Sequence, residues 1–277
     1  MKKLLALLCA AVLGAVGFIA VGCGDNSDSL VLVTSADFPP FEFKEGRKYK
    51  GIDIEFAEAL AAELGLKLKI TNTDFDSVVT SVNTGKADIG MAGLTVSEKR
   101  KELVNFSTSY YEASQMIIVK SDNTAFDACT TAAEVEAVIN GMGAAAKIGY
   151  QTGTTGGLYA NGDEDWEFAG FASASKKGYD NGGLAVNDIL NGRCNIVVID
   201  ALPAKTIVAA KTGVKLINIK LTEEEYAIAV YPKPIPGKEG EVNLKENLLD
   251  KINAAIEKLT NDGTLQAIVD KYFPDED

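Results

Sequence analysis

Two stretches of this chain carry the same wiring, and that repetition limits the folds open to it. Gly85-Lys86-Ala87-Asp88-Ile89 stands against Gly192-Arg193-Cys194-Asn195-Ile196, each between a segment that reads as a helix and one that reads as a strand. The surroundings agree. Residues 30–34 (LVLVT) are β-rich and predict a buried strand. Pro39-Pro40 then forces a turn or an extended loop. Ile54, Ala57, Ala61 and Leu64 recur at helical spacing near Asp53, and Gly65 sits where a helix would end. Leu66, Leu68 and Ile70 alternate with Lys67 and Lys69, the pattern of a half-exposed strand. Asp76 can cap a helix running to about Thr84, stopped by Gly85, and residues 87–92 follow as a strand. Further on, residues 147–150 predict a strand that enters a Gly/Thr-rich turn; a helix over about 180–190 ends at Gly192, and a strand follows at 195–199. This alternation predicts α/β sheets with parallel segments in two lobes of related topology. At the offset of 107 residues, Gly93 corresponds to Asp200. Both lie at the carboxyl end of a strand, where open α/β sheets place their ligands. Residues 226–231 (YAIAVY) read as a returning strand. Leu248, Ile252, Ala255 and Leu259 share a helix face, Asp262-Gly263 breaks that helix, and Leu265, Ile268, Val269 and Tyr272 form a last amphipathic segment.

Composition removes several function classes. The 277 residues hold 27 Lys plus Arg and 39 Asp plus Glu, a formal charge of −12. Non-specific binding to nucleic acid needs clustered basic charge and is not expected. The chain has no His, which excludes imidazole acid–base chemistry and His ligation of a metal. No cofactor or metal site is expected.

The N-terminus reads as an export signal. Met1-Lys2-Lys3 is a short basic start, and residues 4–22 carry no charge before the small-residue stretch Ala20-Val21-Gly22-Cys23. This ending resembles the bacterial lipobox, with Ala20 at the position where Leu is preferred. The expectation is a lipoprotein signal peptide at 1–22, a lipid on Cys23, and a polar tether over 23–29 that holds an exported protein at a membrane surface of the cell envelope. Of the four Cys, Cys9 leaves with the signal and Cys23 takes the lipid. Cys129 and Cys194 remain as a pair with no other partner, and a disulfide between them is expected in an exported compartment.

Three places carry candidate chemistry. Thr95-Val96-Ser97-Glu98 fits a capping box, so a helix is expected to start at Thr95. Its free N–H groups favour an anion, and Arg100 can add a bidentate partner for a carboxylate; an ordinary cap with a solvated Arg is the plain alternative. Gly153-Thr154-Thr155-Gly156-Gly157 offers N–H groups and hydroxyls at another helix start, or is simply a flexible turn; it lacks the Lys of a phosphate loop. Asp200 ends the apolar run 196–199 and is either a helix cap or a cation site. Among Phe38, Phe41, Phe43 and Phe75, most are expected in the core and one or two as stacking walls.

Together these residues resemble the bacterial family 3 extracellular solute-binding proteins, the polar amino-acid receptors of ABC importers. The motif carrying most of the likeness is Gly51-Ile52-Asp53-Ile54-Glu55-Phe56 followed by Leu60-Ala61. Supporting blocks are Ala36-Asp37-Phe38-Pro39-Pro40-Phe41-Glu42-Phe43, Ala92-Gly93-Leu94-Thr95-Val96-Ser97-Glu98-Lys99-Arg100 and Asp262-Gly263-Thr264-Leu265. The likeness runs from Val31 to Phe273 and implies a two-lobed, periplasmic-binding-protein-like α/β fold of the class II type, with two crossover strands as hinge. Lobe 1 would comprise 30–112 and 228–277, and lobe 2 residues 113–227. It implies that Arg100 holds a ligand α-carboxylate with the N–H groups of Thr95 and Thr155. Asp200, the Gly93 carbonyl and the Thr95 hydroxyl would hold the α-ammonium, between aromatic walls at Phe38 and Phe75. Many cationic or amide-selective members carry an acid where this chain has Ser35; Asp37 stands two residues later, and Gln151 occupies a position expected to read the side chain. The segment 125–146, with Cys129 in it, is longer than the family leads one to expect.

The expected activity is capture of a free L-α-amino acid with a polar or cationic side chain, by a monomer that delivers it to ABC permease subunits. An enzyme is not expected. A dehydratase on the same scaffold would need an acid–base pair in the cleft; Glu42 and Lys44 are its candidates, and both are expected to face solvent. A ligand-sensing surface lipoprotein is the third option.

Overall fold

The computed structural model describes residues 28–164, 166–235 and 243–272. The expected signal at 1–22, the lipid site Cys23, tether residues 24–27 and Phe273 lie outside the described residues. Asp28 and Ser29, assigned to the tether, belong to the fold: the Lys67 ammonium donates to Asp28 at 2.8 Å, and Ser29 opens the first strand, buried.

The chain begins with β1 (Ser29–Thr34) and a small antiparallel meander of β2 (Asp37–Phe38), β3 (Glu42–Glu45) and β4 (Lys48–Lys50). Helix α1 (Ile52–Glu63) and β5 (Lys67–Asn72) follow, then α2 (Val78–Asn83), β6 (Ile89–Gly90), α3 (Glu98–Lys101) and β7 (Asn105–Ala113). The chain crosses at Ser114 into β8 (Gln115–Lys120), α4 (Ala132–Met142), β9 (Lys147–Gln151), α5 (Thr155–Asn161), β10 (Ser175–Tyr179), α6 (Gly182–Leu190), β11 (Ile196–Asp200), α7 (Ala201–Ala210) and β12 (Val214–Ile217). It returns through β13 (Glu224–Val230) and closes with α8 (Leu248–Asn261) and α9 (Thr264–Tyr272).

Two five-stranded sheets result, ordered β5-β1-β6-β13-β7 and β10-β9-β11-β8-β12. Each is a parallel trio joined to two antiparallel strands, so the topology is the same in both. The repeated five-residue blocks enter the middle strands β6 and β11. Their carboxyl ends point at the same cleft, which brings Gly93 and Asp200 together. The apolar alternation works as expected. Val197 and Ile199 of β11 join Ala185 and Ile189 of α6 on one face, while Ile196 and Val198 join Val135 and Ile139 of α4 on the other. The long segment before β9 is α4, whose start is a true capping box between Thr131 and Glu134.

That two-faced packing overturns the expected disulfide. Cys129 packs on the α4 side of the second sheet, whereas Cys194 packs on the α6 side, where its thiol donates to the Ala185 carbonyl at 3.3 Å. A layer of β-sheet lies between them, and both are free thiols. A second departure is at Thr95. The helix starts at Glu98, capped by the Ser97 hydroxyl, which accepts the Arg100 N–H at 3.3 Å. Thr95 instead sits in a β-bridge with Tyr226, because β13 offers a pairing edge just there.

Gly51 shows how tightly the meander is locked to α1. Its φ is +122°, and an added Cβ would lie 2.1 Å from the Phe41 carbonyl oxygen. The peptide passes under residues 40–41 while the Ile52 and Asp53 N–H groups donate to Pro40 and Phe41 at 3.0 and 2.9 Å. Gly51→Ala is expected to destabilise the fold by about 2–4 kcal/mol, read from urea unfolding. In the unfolded, unreduced chain from residue 28 onward, thiol titration is expected to find both cysteines reactive.

Candidate functional site

The cleft between the two sheets is lined by Phe38, Phe75, Gly93, Thr95, Gln151, Thr154, Thr155 and Asp200, around about 230 Å³ of empty space. Seven of these were named from sequence; Thr154 was not. Gly93 is held at φ +55°, with Phe38 and Tyr226 so close that a Cβ would meet them at 3.0 and 3.2 Å. Phe38 is buried and Phe75 half-buried.

Arg100 is half-buried beside the cleft. Its guanidinium lies 5.5 Å from the Phe75 ring centre and donates to the Thr95 carbonyl at 2.6 Å and the Gly153 carbonyl at 3.1 Å. Burial lowers its pKa to about 10, so it stays charged at neutral pH. A guanidinium has five N–H donors, which leaves donors for an anion. Asp200 ends β11 and accepts the Tyr226 hydroxyl. Burial, followed by the nearby Glu224, pushes its pKa up to about 7.

Several bonds join the two sheets' elements across the cleft. The Thr155 hydroxyl donates to the Thr95 hydroxyl at 3.1 Å, Arg100 reaches Gly153, Tyr226 reaches Asp200, and Lys99 pairs with Asp163 at 2.5 Å.

The remaining predicted residues gather at one end. Ser35 is buried and its hydroxyl stands 3.5 Å from Asp37. Asp37 is exposed at the rim, within hydrogen-bonding reach of the Gln151 amide and in the field of Asp74 and Asp180. The Gln151 carbonyl oxygen is buried with no partner among the described residues. That end of the cleft therefore presents acceptors and negative charge.

Sequence reasoning missed the acids beneath the cleft. Glu42 is fully buried, not solvent-facing; Lys44 is exposed as expected. Glu42 stands opposite Phe38 in the meander register and beside Asp53. Asp53, in the first turn of α1, accepts the Gly93 N–H at 2.8 Å and the Tyr110 hydroxyl at 2.7 Å. Burial and then Asp53 hold Glu42 well above the usual carboxylate range, and burial pushes Asp53 up to about 6. Both carboxyl oxygens of Glu42 are buried with no hydrogen-bond partner among the described residues. The signal available beforehand was Asp53 within an apolar helical stripe; Glu42 had none, because the strand around it alternates with exposed lysines.

The folded pair binds protons more tightly than the unfolded chain does. Its contribution to stability is complete below the unfolded carboxyl values, near 4, and is lost as pH rises through about 6 and above. Glu42→Gln is expected to remove that loss, raising the melting temperature at pH 8 more than at pH 5, measured by calorimetry.

The profile of bacterial extracellular solute-binding proteins, family 3, matches residues 30–275. The arginine-binding extracellular protein ArtP of Bacillus subtilis (strain 168) is 40% identical over 130 residues, a span of 44% of this chain and half of that protein. ABC transporter arginine-binding protein 1 of Escherichia coli (strain K12) is 29% identical over 246 residues, covering 87% of this chain and 88% of that one. The crystal structure of an ancestral amino acid-binding protein, a precursor of cyclohexadienyl dehydratase, superposes with a TM-score of 0.72 at 30% identity, covering 89% of this chain and 96% of that one. The profile runs through both sheets and every residue of the cleft, and the chain belongs to the bacterial extracellular solute-binding proteins, family 3.

Proposed function

We propose that this protein captures a free L-α-amino acid with a polar or cationic side chain and delivers it to the membrane subunits of an ABC-type permease. The observation that carries the reading is a pair of opposite charges flanking one cleft: Arg100 from the first sheet's side and Asp200 from the second's. A free amino acid carries a carboxylate and an ammonium a short distance apart. Arg100 with the Thr95 and Thr155 N–H groups takes the α-carboxylate. Asp200, the Gly93 carbonyl and the Thr95 hydroxyl take the α-ammonium. Phe38 and Phe75 wall the ligand, and Gln151, Ser35 and Asp37 face its side chain.

The preference for a polar or cationic side chain is supported by the unpartnered Gln151 oxygen and by the Asp37, Asp74 and Asp180 rim. Arginine-binding relatives in two bacteria agree with it. The moving parts are residues 30–112 with 228–277, and residues 113–227, joined at the two crossovers near Ser114 and Thr222. A ligand gripped from both sides favours the closed state by its differential affinity for it. The protein works as an exported monomer, tethered at the envelope through the Cys23 lipid. A dehydratase reading has the ancestral structural neighbour in its favour. Its named acid–base candidates do not meet in the cleft: Glu42 is sealed and Lys44 exposed.

A thermal-shift screen of the common L-amino acids is expected to show its largest rise with arginine or another polar or basic member. No rise with any of them refutes the reading. Arg100→Ala is expected to weaken that binding by about 2–5 kcal/mol, roughly 30- to 5,000-fold, in calorimetry on a folded variant. Because Asp200 titrates near pH 7 and the ammonium requires its ionised form, wild-type affinity is expected to fall about tenfold per pH unit below that value. A flat profile between pH 5 and 8 removes Asp200 from the ammonium site.

A further inference from the structure

The cleft hydroxyls are not free to choose their hydrogen-bond direction. Glu224 is 5% exposed and lies directly behind Thr95. It accepts the Thr95 hydroxyl at 2.9 Å on one oxygen and the Thr222 hydroxyl at 2.6 Å on the other. The Thr222 oxygen in turn accepts the Gln115 N–H at 2.8 Å, and the Thr95 oxygen accepts the Thr155 hydroxyl at 3.1 Å. Both Glu224 oxygens are thus taken up as acceptors of hydroxyl protons. Every proton in this chain therefore points toward Glu224. Thr95 and Thr155, from opposite sides of the cleft, have both spent their donors and present lone pairs.

We propose that Glu224 is the positioning residue that polarises this chain, so that the cleft's hydroxyl wall only accepts hydrogen bonds and selects an α-ammonium over an α-hydroxyl group. The inference rests on the amino-acid reading above and deepens it. An α-ammonium brings donors alone and satisfies the wall. An α-hydroxy acid brings one donor and leaves a buried acceptor without a partner, which selects against it by the cost of an unsatisfied polar atom. Glu224 reaches the ligand through Thr95 by hydrogen bonding, while its charge also acts on Arg100.

Glu224 has a second effect on the same site, through the field it places on Asp200. The charged and titratable groups facing Asp200 are Glu224 and Tyr226 on β13, Arg100 on α3, Tyr111 on β7 and Glu42 on β3. Neutralising Glu224 removes the largest charge contribution that raises Asp200.

The test uses Glu224→Gln, Thr95→Val and the double variant, with L-arginine and its α-hydroxy analogue as probes, by calorimetry at pH 8.5. Wild type is expected to prefer L-arginine by at least a hundredfold. Glu224→Gln, whose amide can donate to Thr95 and turn its proton into the cleft, is expected to lose at least tenfold of that preference. In the Thr95→Val background the same change is expected to alter the preference by less than threefold, since the hydroxyl it acts through is gone. The pH midpoint of L-arginine binding is expected to move below 7 in Glu224→Gln, a shift that a purely structural role would not produce. Equal weakening for both probes, or an unmoved midpoint, overturns the proposal. If Glu224→Gln does not fold, Thr95→Val decides, and a wild-type preference surviving in it overturns the proposal. Wild type failing to bind L-arginine at all overturns the proposal as stated for this probe, and a positive shift with another amino acid in the screen then leaves the amino-acid reading standing.

Discussion

Buried acids with too few bases are the constraint on which this cleft depends. Asp200 and Glu224 lie in one dry cluster with Arg100 facing both, and burial together with the Glu224 charge raises the proton affinity of Asp200. Hydroxyl groups ease the strain. Thr95 and Thr222 donate to Glu224, and Tyr226 donates to Asp200. What hydroxyls cannot supply is net positive charge, so an ammonium is the complement the cluster lacks. The same imbalance makes the proposed ligand a closing agent, because one acid comes from the return crossover and the other from the second sheet.

Topology puts these groups together with little help from loops. The two sheets repeat one plan, and in each the middle strand of the five aims its carboxyl end at the cleft. Just past that end the first sheet places a glycine, Gly93, whose N–H is tied to Asp53 at 2.8 Å. In the second it is an acid. A symmetric scaffold thus carries an asymmetric site, a backbone turn at Gly93 against the carboxylate of Asp200.

Much of this was legible from residue order, and the remainder was not for identifiable reasons. Periodicity exposed the parallel strands β1, β5, β6, β9 and β11, the returning β13 and the helices beside them, though not β7, β8, β10, β12, α4 or α7, and the paired five-residue blocks aligned Gly93 with Asp200. Short-range rules failed where tertiary pairing outbid them. The Thr95 capping box has the right letters, yet β13 recruits Thr95 into a bridge and the cap passes to Ser97. Counting cysteines suggested a bridge, but pairing depends on which sheet face each residue occupies, and Cys129 and Cys194 take opposite faces. The burial of Glu42, expected to face solvent, and of Glu224, not singled out, went unread for one shared reason. Each sits in a stretch rich in other charged residues, Lys44 and Glu45 in one case and Glu223 and Glu225 in the other, so local pattern marks all of them as surface.

The two buried acid systems have different logics, and the difference follows from what each can bond to. Asp53 accepts the Tyr110 hydroxyl and the Gly93 N–H, while burial holds Glu42 beside it toward the neutral form, its oxygens unpartnered among the described residues. That system works inside the fold: it orients Gly93. Asp200 accepts the Tyr226 hydroxyl and Glu224 accepts Thr95 and Thr222, and the Glu224 charge raises the Asp200 pKa. That system is open, and in the proposed reading a cation entering the cleft closes it. A protein that kept only the first would be stable with a rigid, indifferent groove. Keeping the second, at some cost in stability, gives the groove a charge to be answered.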